Sequence, residues 1–261
     1  MKYILNCFWL IFLLNISCSN PEQYSAPPPG KVLMVQRLDG ADTTDAEAGI
    51  DAVTNSDSIN YIQLMWYRPQ ETANLASFNI YRSVDEQGAK NYNLLYRKRL
   101  DQQIAADTLF IDTQYLRRNV RYYYYVTAED KDGRESENSD TLSYMLLEKA
   151  GNLSLNGNST TVTEPSMEFS WWMNGQTLHR YILRIEAFVN EDFHPKVYVQ
   201  YIPSIYQSPQ SLTLSGNWLK QKFPNGKYRW RIDCVGTEEI SEQWFSGSES
   251  DWYPFKVEWK E

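Results

Sequence analysis

Residues 121–130 read RYYYYVTAED. Aromatic and β-branched side chains in such density lose freedom in a helix and fit the surface of a pleated sheet. Because strand side chains alternate between faces, Tyr122, Tyr124, Val126 and Ala128 share one face. Tyr123, Tyr125 and Thr127 take the other. Asp132-Gly133 then supplies a tight turn, and a further strand is expected from Thr141 to Leu147. The same alternation recurs along the chain. It is seen at Ile62, Leu64 and Trp66 before Pro69, at Phe78 and Ile80 in FNIYRS, and at Leu109 and Ile111 before Asp112. Later come Phe169 and Trp171, then Tyr181, Leu183 and Ile185, then Tyr228, Trp230, Ile232 and Cys234. No long helical periodicity interrupts the series. The pattern predicts an all-β chain, and its length predicts two tandem β-sandwiches of about 100 residues each.

The N-terminus reads differently. Lys2 leads into an apolar run from Cys7 to Leu14, which stops at Ser17 and Cys18. A charged start, a short apolar stretch and small residues at the end define a signal peptide over residues 1–17. The run is far shorter than the roughly 20 residues that span a bilayer. Cysteine at the cleavage point resembles the bacterial lipoprotein signal, which implies lipidation of Cys18. Asn15, Ile16 and Ser17 depart from the usual residues before that cysteine, so ordinary cleavage after Ser19, with secretion, is the alternative. Residues 18–30 are polar and end in Pro27, Pro28 and Pro29, a composition suited to an extended spacer. The first sandwich is expected over 31–147, with an acidic insertion from Asp39 to Asp57, and the second over 148–261. Almost no linker separates them, which predicts a stiff rod.

The first sandwich resembles a fibronectin type III domain. Trp66 matches that family's second-strand tryptophan, and Leu116, followed six residues later by Tyr122, matches the opening of its sixth strand. The resemblance gives Tyr122 the tyrosine-corner role, with its hydroxyl bonded to nearby backbone. Arg118 and Val120 stand where the family usually has Pro and Thr, and Gly49 to Ala52 looks like an insertion of bacterial members. The second sandwich follows the plan more loosely. Leu219 to Tyr228 is longer than the family spacing, and GSESDWYPFKV reads as the last strand.

The chemistry expected of this sequence is non-covalent. Nucleophilic catalysis needs a base held beside its nucleophile. His179 and His194 are the only histidines, and no serine elbow or Cys–His pairing accompanies them. No enzyme, cofactor or metal is expected. Glu129, Asp130, Asp132 and Glu135 crowd one hairpin without the spacing of a calcium loop, so they read as solvated turn charges. Past the signal and Cys18, Cys234 is the one thiol left, at an inward strand position, and reads as inert packing. Removal of residues 1–17 leaves 24 basic against 33 acidic residues, net −9. That charge argues against duplex nucleic acid, which requires a basic face.

Aromatics are in excess, with nineteen tyrosines and nine tryptophans. Trp66, Trp171, Trp230, Tyr122, Tyr124 and Tyr228 are claimed by the cores. The outward set is Tyr81, Tyr123 and Tyr125, which neighbouring strands would bring together as a platform for a protein or glycan partner. Asp57-Ser58-Ile59, Asp107-Thr108-Leu109 and Asp140-Thr141-Leu142 resemble a short bacterial O-glycosylation signal. The expectation is a cell-envelope protein, held to the membrane by its lipid or else secreted, that binds a protein or glycan. The alternative is a structural spacer or assembly subunit of an envelope complex.

Overall fold

The computed structural model describes residues 29–34, 54–56, 59–67, 69, 74–84, 90–100, 108–157, 159–173, 178–204, 209–236 and 244–260. The signal segment, Cys18, most of the spacer and the insertion up to residue 53 lie outside the described residues. Within them the chain is nearly all β. In the first half the strands are β1 (Thr54–Ser56), β2 (Ile59–Asn60), β3 (Ile62–Met65), β4 (Leu75–Val84), β5 (Asn93–Arg99), β6 (Leu109–Asp112), β7 (Arg121–Asp130) and β8 (Leu142–Leu146). The second half holds β9 (Gly151–Leu155), β10 (Thr161–Val162), β11 (Ser166–Trp172), β12 (Arg180–Ala187), β13 (Lys196–Pro203) and β14 (Gln210–Ser215). These are followed by the one-turn helix α1 (Trp218–Lys222), β15 (Gly226–Val235), β16 (Trp244–Glu249) and β17 (Tyr253–Val257).

Two hydrophobic cores form. The first gathers Ile62, Leu64 and Trp66 against Phe78, Ile80, Tyr122, Tyr124, Val126, Ala128, Leu142 and Tyr144. Here β3 and β6 form a two-stranded layer facing the sheet of β4, β7 and β8. The second packs Leu155, Met167, Phe169, Trp171 and Leu214 against Leu183, Ile185, Trp230, Ile232 and Cys234. Its layers are the β14-β11-β9 sheet and the strands β12, β15 and β17. Each core thus sits between two β-layers, as period-two alternation requires. In β6 the inward residues are Phe110 and Asp112, whereas Ile111 is exposed.

The two sandwiches are not beads on a linker. One ten-stranded sheet runs through both, in the order β10-β17-β15-β16-β8-β7-β4-β5, with β12 and then β13 on the other edge of β15. The junction is β16 lying parallel to β8, with Phe245 opposite Tyr144 and Gly247 opposite Leu146. The expected last strand is in fact two. β16 pairs with the end of β15 (Cys234 opposite Ser248), and after residues 250–252 β17 pairs with its beginning (Tyr228 opposite Phe255).

Register assigns the faces. Phe245 lies on the face of Tyr144 and enters the first core, 1 % exposed. Ser246 and Ser248 point the other way, the way of Cys234, into the second core. Met145, between Tyr144 and Leu146 in β8, likewise packs against the second core. The two cores therefore occupy opposite faces of one continuous sheet. Gly236 closes the junction: a Cβ there would lie 2.9 Å from Leu147 Cδ1 and closer still to Ser246.

Candidate functional site

The residues expected to form a platform lie on the face of β4 and β7 that points away from the first core. Tyr81 and Tyr125 are directly opposite in the antiparallel register of β4 and β7. Their rings stack at 4.7 Å between centroids with 20° between planes. Both are half-buried. Tyr123 does not join them. It is 3 % exposed, with Lys90 Nζ 4.2 Å above its ring. Its place is taken by Tyr92, whose ring sits 4.8 Å from that of Tyr125. The segment entering β5 therefore folds over the sheet, laying Lys90 on Tyr123 and Tyr92 on Tyr125. A period-two reading assigns Tyr123 to the outer face but carries no information on what covers that face.

Polar groups fix this cluster. The Tyr81 hydroxyl donates to Glu135, 3.0 Å from Oε1 and 3.1 Å from Oε2. Thr127 Oγ1 donates to Glu135 Oε2 at 2.7 Å, and Asn79 Nδ2 donates to Glu135 Oε1 at 2.9 Å. Asn79 also donates to Glu129 Oε2 at 2.8 Å and accepts from Arg97 Nε at 3.1 Å. Arg97 and Glu129 are 3.1 Å apart as an ion pair. Burial, then the hydrogen bond and negative charge of Glu135, push the Tyr81 phenol up to about 12.

Two of the four hairpin acids are thus hydrogen-bonded to the sheet, Glu129 half-buried and Glu135 still exposed to solvent. A third, Asp130, is 3 % exposed. It accepts from the Arg134 and Asp132 backbone N–H groups at 2.9 and 3.0 Å and pairs with the Arg134 guanidinium at 2.8 Å. These donors, the Arg134 backbone first, hold its carboxyl below the usual range. Sequence reasoning missed Glu135 and Tyr92. The signal for Glu135 was its place two residues past Gly133, where a returning strand can align it with Glu129, as the isolated Glu129–Glu135 bridge does.

Tyr122 stands at the opposite face, buried in the first core. Its hydroxyl accepts a 2.8 Å hydrogen bond from the Arg117 backbone N–H and lies 3.5 Å from the Tyr115 carbonyl. Tyr115 and Asn119, both at positive φ (53° and 60°), bend the chain around this bond. Beside it, the fully buried carboxylate of Asp112 accepts from Tyr124 Oη at 2.7 Å, Arg82 at 2.8 Å and the Gln114 N–H at 2.9 Å. Burial first, and then the Asp112 charge, push the Tyr124 phenol well above its usual value. In the second core Tyr228 Oη donates to the Pro224 carbonyl at 2.7 Å. The helix α1, with Leu219 fully buried, accounts for the long spacing before that tyrosine.

The two histidines lie apart from the tyrosine cluster, in the second half of the chain. His179 is exposed, and His194 is half-buried with its ring 4.9 Å from Phe188. Among the described residues no group of three or more His, Cys, Asp or Glu side chains is placed to hold a metal ion. No protein-family model matches the chain, and no curated protein matches it.

Proposed function

We propose that this chain is an exported cell-envelope protein, lipid-anchored through Cys18, that acts as a non-catalytic binding module for a protein or glycan. In this reading its two sandwiches are fibronectin type III-like. The supporting observation is the ring cluster of Tyr81, Tyr125 and Tyr92 on a sheet face outside both cores, with the Tyr81 hydroxyl fixed by Glu135. Aromatic side chains lose little entropy on binding and present both apolar and hydrogen-bonding edges. At about 1 kcal/mol per ring, three rings give roughly 3 kcal/mol, so single contacts are weak and many copies on a membrane make them effective.

The test is retention of the full-length protein on immobilised envelope polysaccharide and on envelope proteins, compared with a Tyr81→Ser/Tyr125→Ser variant. Retention lost at an unchanged melting temperature supports the reading; equal retention of the folded variant removes it. The second reading is an assembly subunit or spacer. The shared sheet favours it, because β8 and β16 lock the two sandwiches in one orientation. A stoichiometric envelope protein partner with no glycan retention would select it.

A further inference from the structure

The outward face of the second sandwich carries a cavity of about 590 Å³, within the range of small-ligand sites. Register builds it rung by rung. The Phe188 N–H donates to the Lys227 carbonyl, Lys227 stands opposite Lys256, and Lys256 stands opposite Thr161. On the next rung Glu186 faces Arg229, which faces Pro254. Trp252 closes one end, with the Arg229 guanidinium 4.2 Å and that of Arg231 4.8 Å from its ring centre. Arg231 is in turn held by two hydrogen bonds to Glu249, at 2.8 and 2.6 Å. The apolar wall is therefore set before any ligand arrives, which lowers the cost of binding.

The charges are one-sided. Lys227, Arg229 and Lys256 line the cavity, and no carboxylate is among its described lining residues. Arg229 is paired with Glu186 at 2.6 Å, and Lys256 with Glu258, just past the end of β17. For the Lys227 ammonium no ion pair is found among the described residues. Like charges directly opposite on neighbouring strands repel. An anion placed between Lys227 and Lys256 turns that repulsion into attraction, in a chain whose overall net charge is −8.

We infer that this cavity binds an acidic sugar unit of the uronic-acid type. The C–H face of the ring lies on Phe188, Trp252 and Pro254, and its single carboxylate lies between Lys227 and Lys256. The inference rests on the reading of the chain as an exported binding module, and it concerns a site separate from the tyrosine cluster.

Calorimetric titration of the full-length protein with a glucuronic-acid oligosaccharide, and with a neutral glucose oligosaccharide of equal length, tests it. The acidic ligand is expected to bind at least about tenfold more tightly than the neutral one. Lys227→Gln/Lys256→Gln should weaken it by about tenfold or more, as loss of charge-assisted contacts does, without lowering the melting temperature. Tyr81→Ser/Tyr125→Ser should leave it unaltered. Failure of the tyrosine reading alone would therefore still show acidic-sugar binding that the lysine pair controls. No binding of the acidic ligand, equal binding of the neutral one, unchanged affinity in the lysine variant, or equal competition by polyglutamate would each overturn the inference.

Discussion

Phe245 tests whether the two sandwiches fold as one unit. Its backbone belongs to β16, which pairs with β15 beside the second core, while its ring lies in the first core, stacked 5.7 Å from Tyr144. Phe245→Ala removes a ring of the kind that buries about 150–250 Å², and such truncations cost about 3–5 kcal/mol. For a chain of this size that is a fall in melting temperature of roughly 6–20 °C. If the sheet couples the cores, calorimetry should show one transition before and after the change, with equal calorimetric and van't Hoff enthalpies. Phe245→Leu, which keeps most of the apolar volume, should recover much of the loss. The reasoning fails if the wild type melts in two independent steps. It fails equally if the alanine variant shifts by less than about 1 kcal/mol, far below the cost of opening a cavity in a packed core.

Two further predictions follow from the buried chemistry. The Tyr81 phenol, pushed up to about 12 by burial and by Glu135, favours its neutral form in the folded chain. Its contribution to stability is therefore complete below pH of about 10, the ordinary tyrosine value, and is lost as pH rises toward the folded value. Ultraviolet titration of tyrosinate should show this late-ionising group, and Glu135→Gln should move it down; an unmoved titration would detach Tyr81 from Glu135. The Cys234 thiol, 1 % exposed and pushed up to about 12 chiefly by burial, should resist alkylation at neutral pH in the native protein and react fully in denaturant. Rapid native labelling would show that the second core opens at that strand.

Much of the architecture was legible because strand alternation is a local property. The period of two places Tyr122, Tyr124, Val126 and Ala128 in the first core, and Trp230, Ile232 and Cys234 in the second, with no knowledge of their neighbours. The site was less legible. Tyr81 and Tyr125 meet because two long central strands pair in the register that alternation suggests. Tyr123 has the same outward parity but is covered by Lys90, from a connection whose path no periodicity encodes. Glu135 was masked by its neighbours. Four acids around one Asp-Gly turn look alike until the returning chain is seen to lay Glu135 beside Glu129, within reach of Tyr81, Asn79 and Thr127.

The junction was the least legible feature, and the reason is physical. Parallel pairing of β8 with β16 joins residues about a hundred positions apart, and no hairpin or turn signal announces such a contact. The segment around Phe245 reads WFSGSES, with small polar residues where a second-core strand should be apolar. That composition makes sense only when the strand serves two cores. Phe245 goes to one, while Ser246 and Ser248 turn toward the other, and Ser246 packs so close to Gly236 that even a Cβ there would clash with it. The Ser248 hydroxyl also spends its hydrogen bond on the Glu148 carbonyl of the connecting segment. A stiff union was expected from a short linker. What the structure supplies instead is a shared sheet, whose ladder of backbone hydrogen bonds resists bending where a linker of any length would allow it.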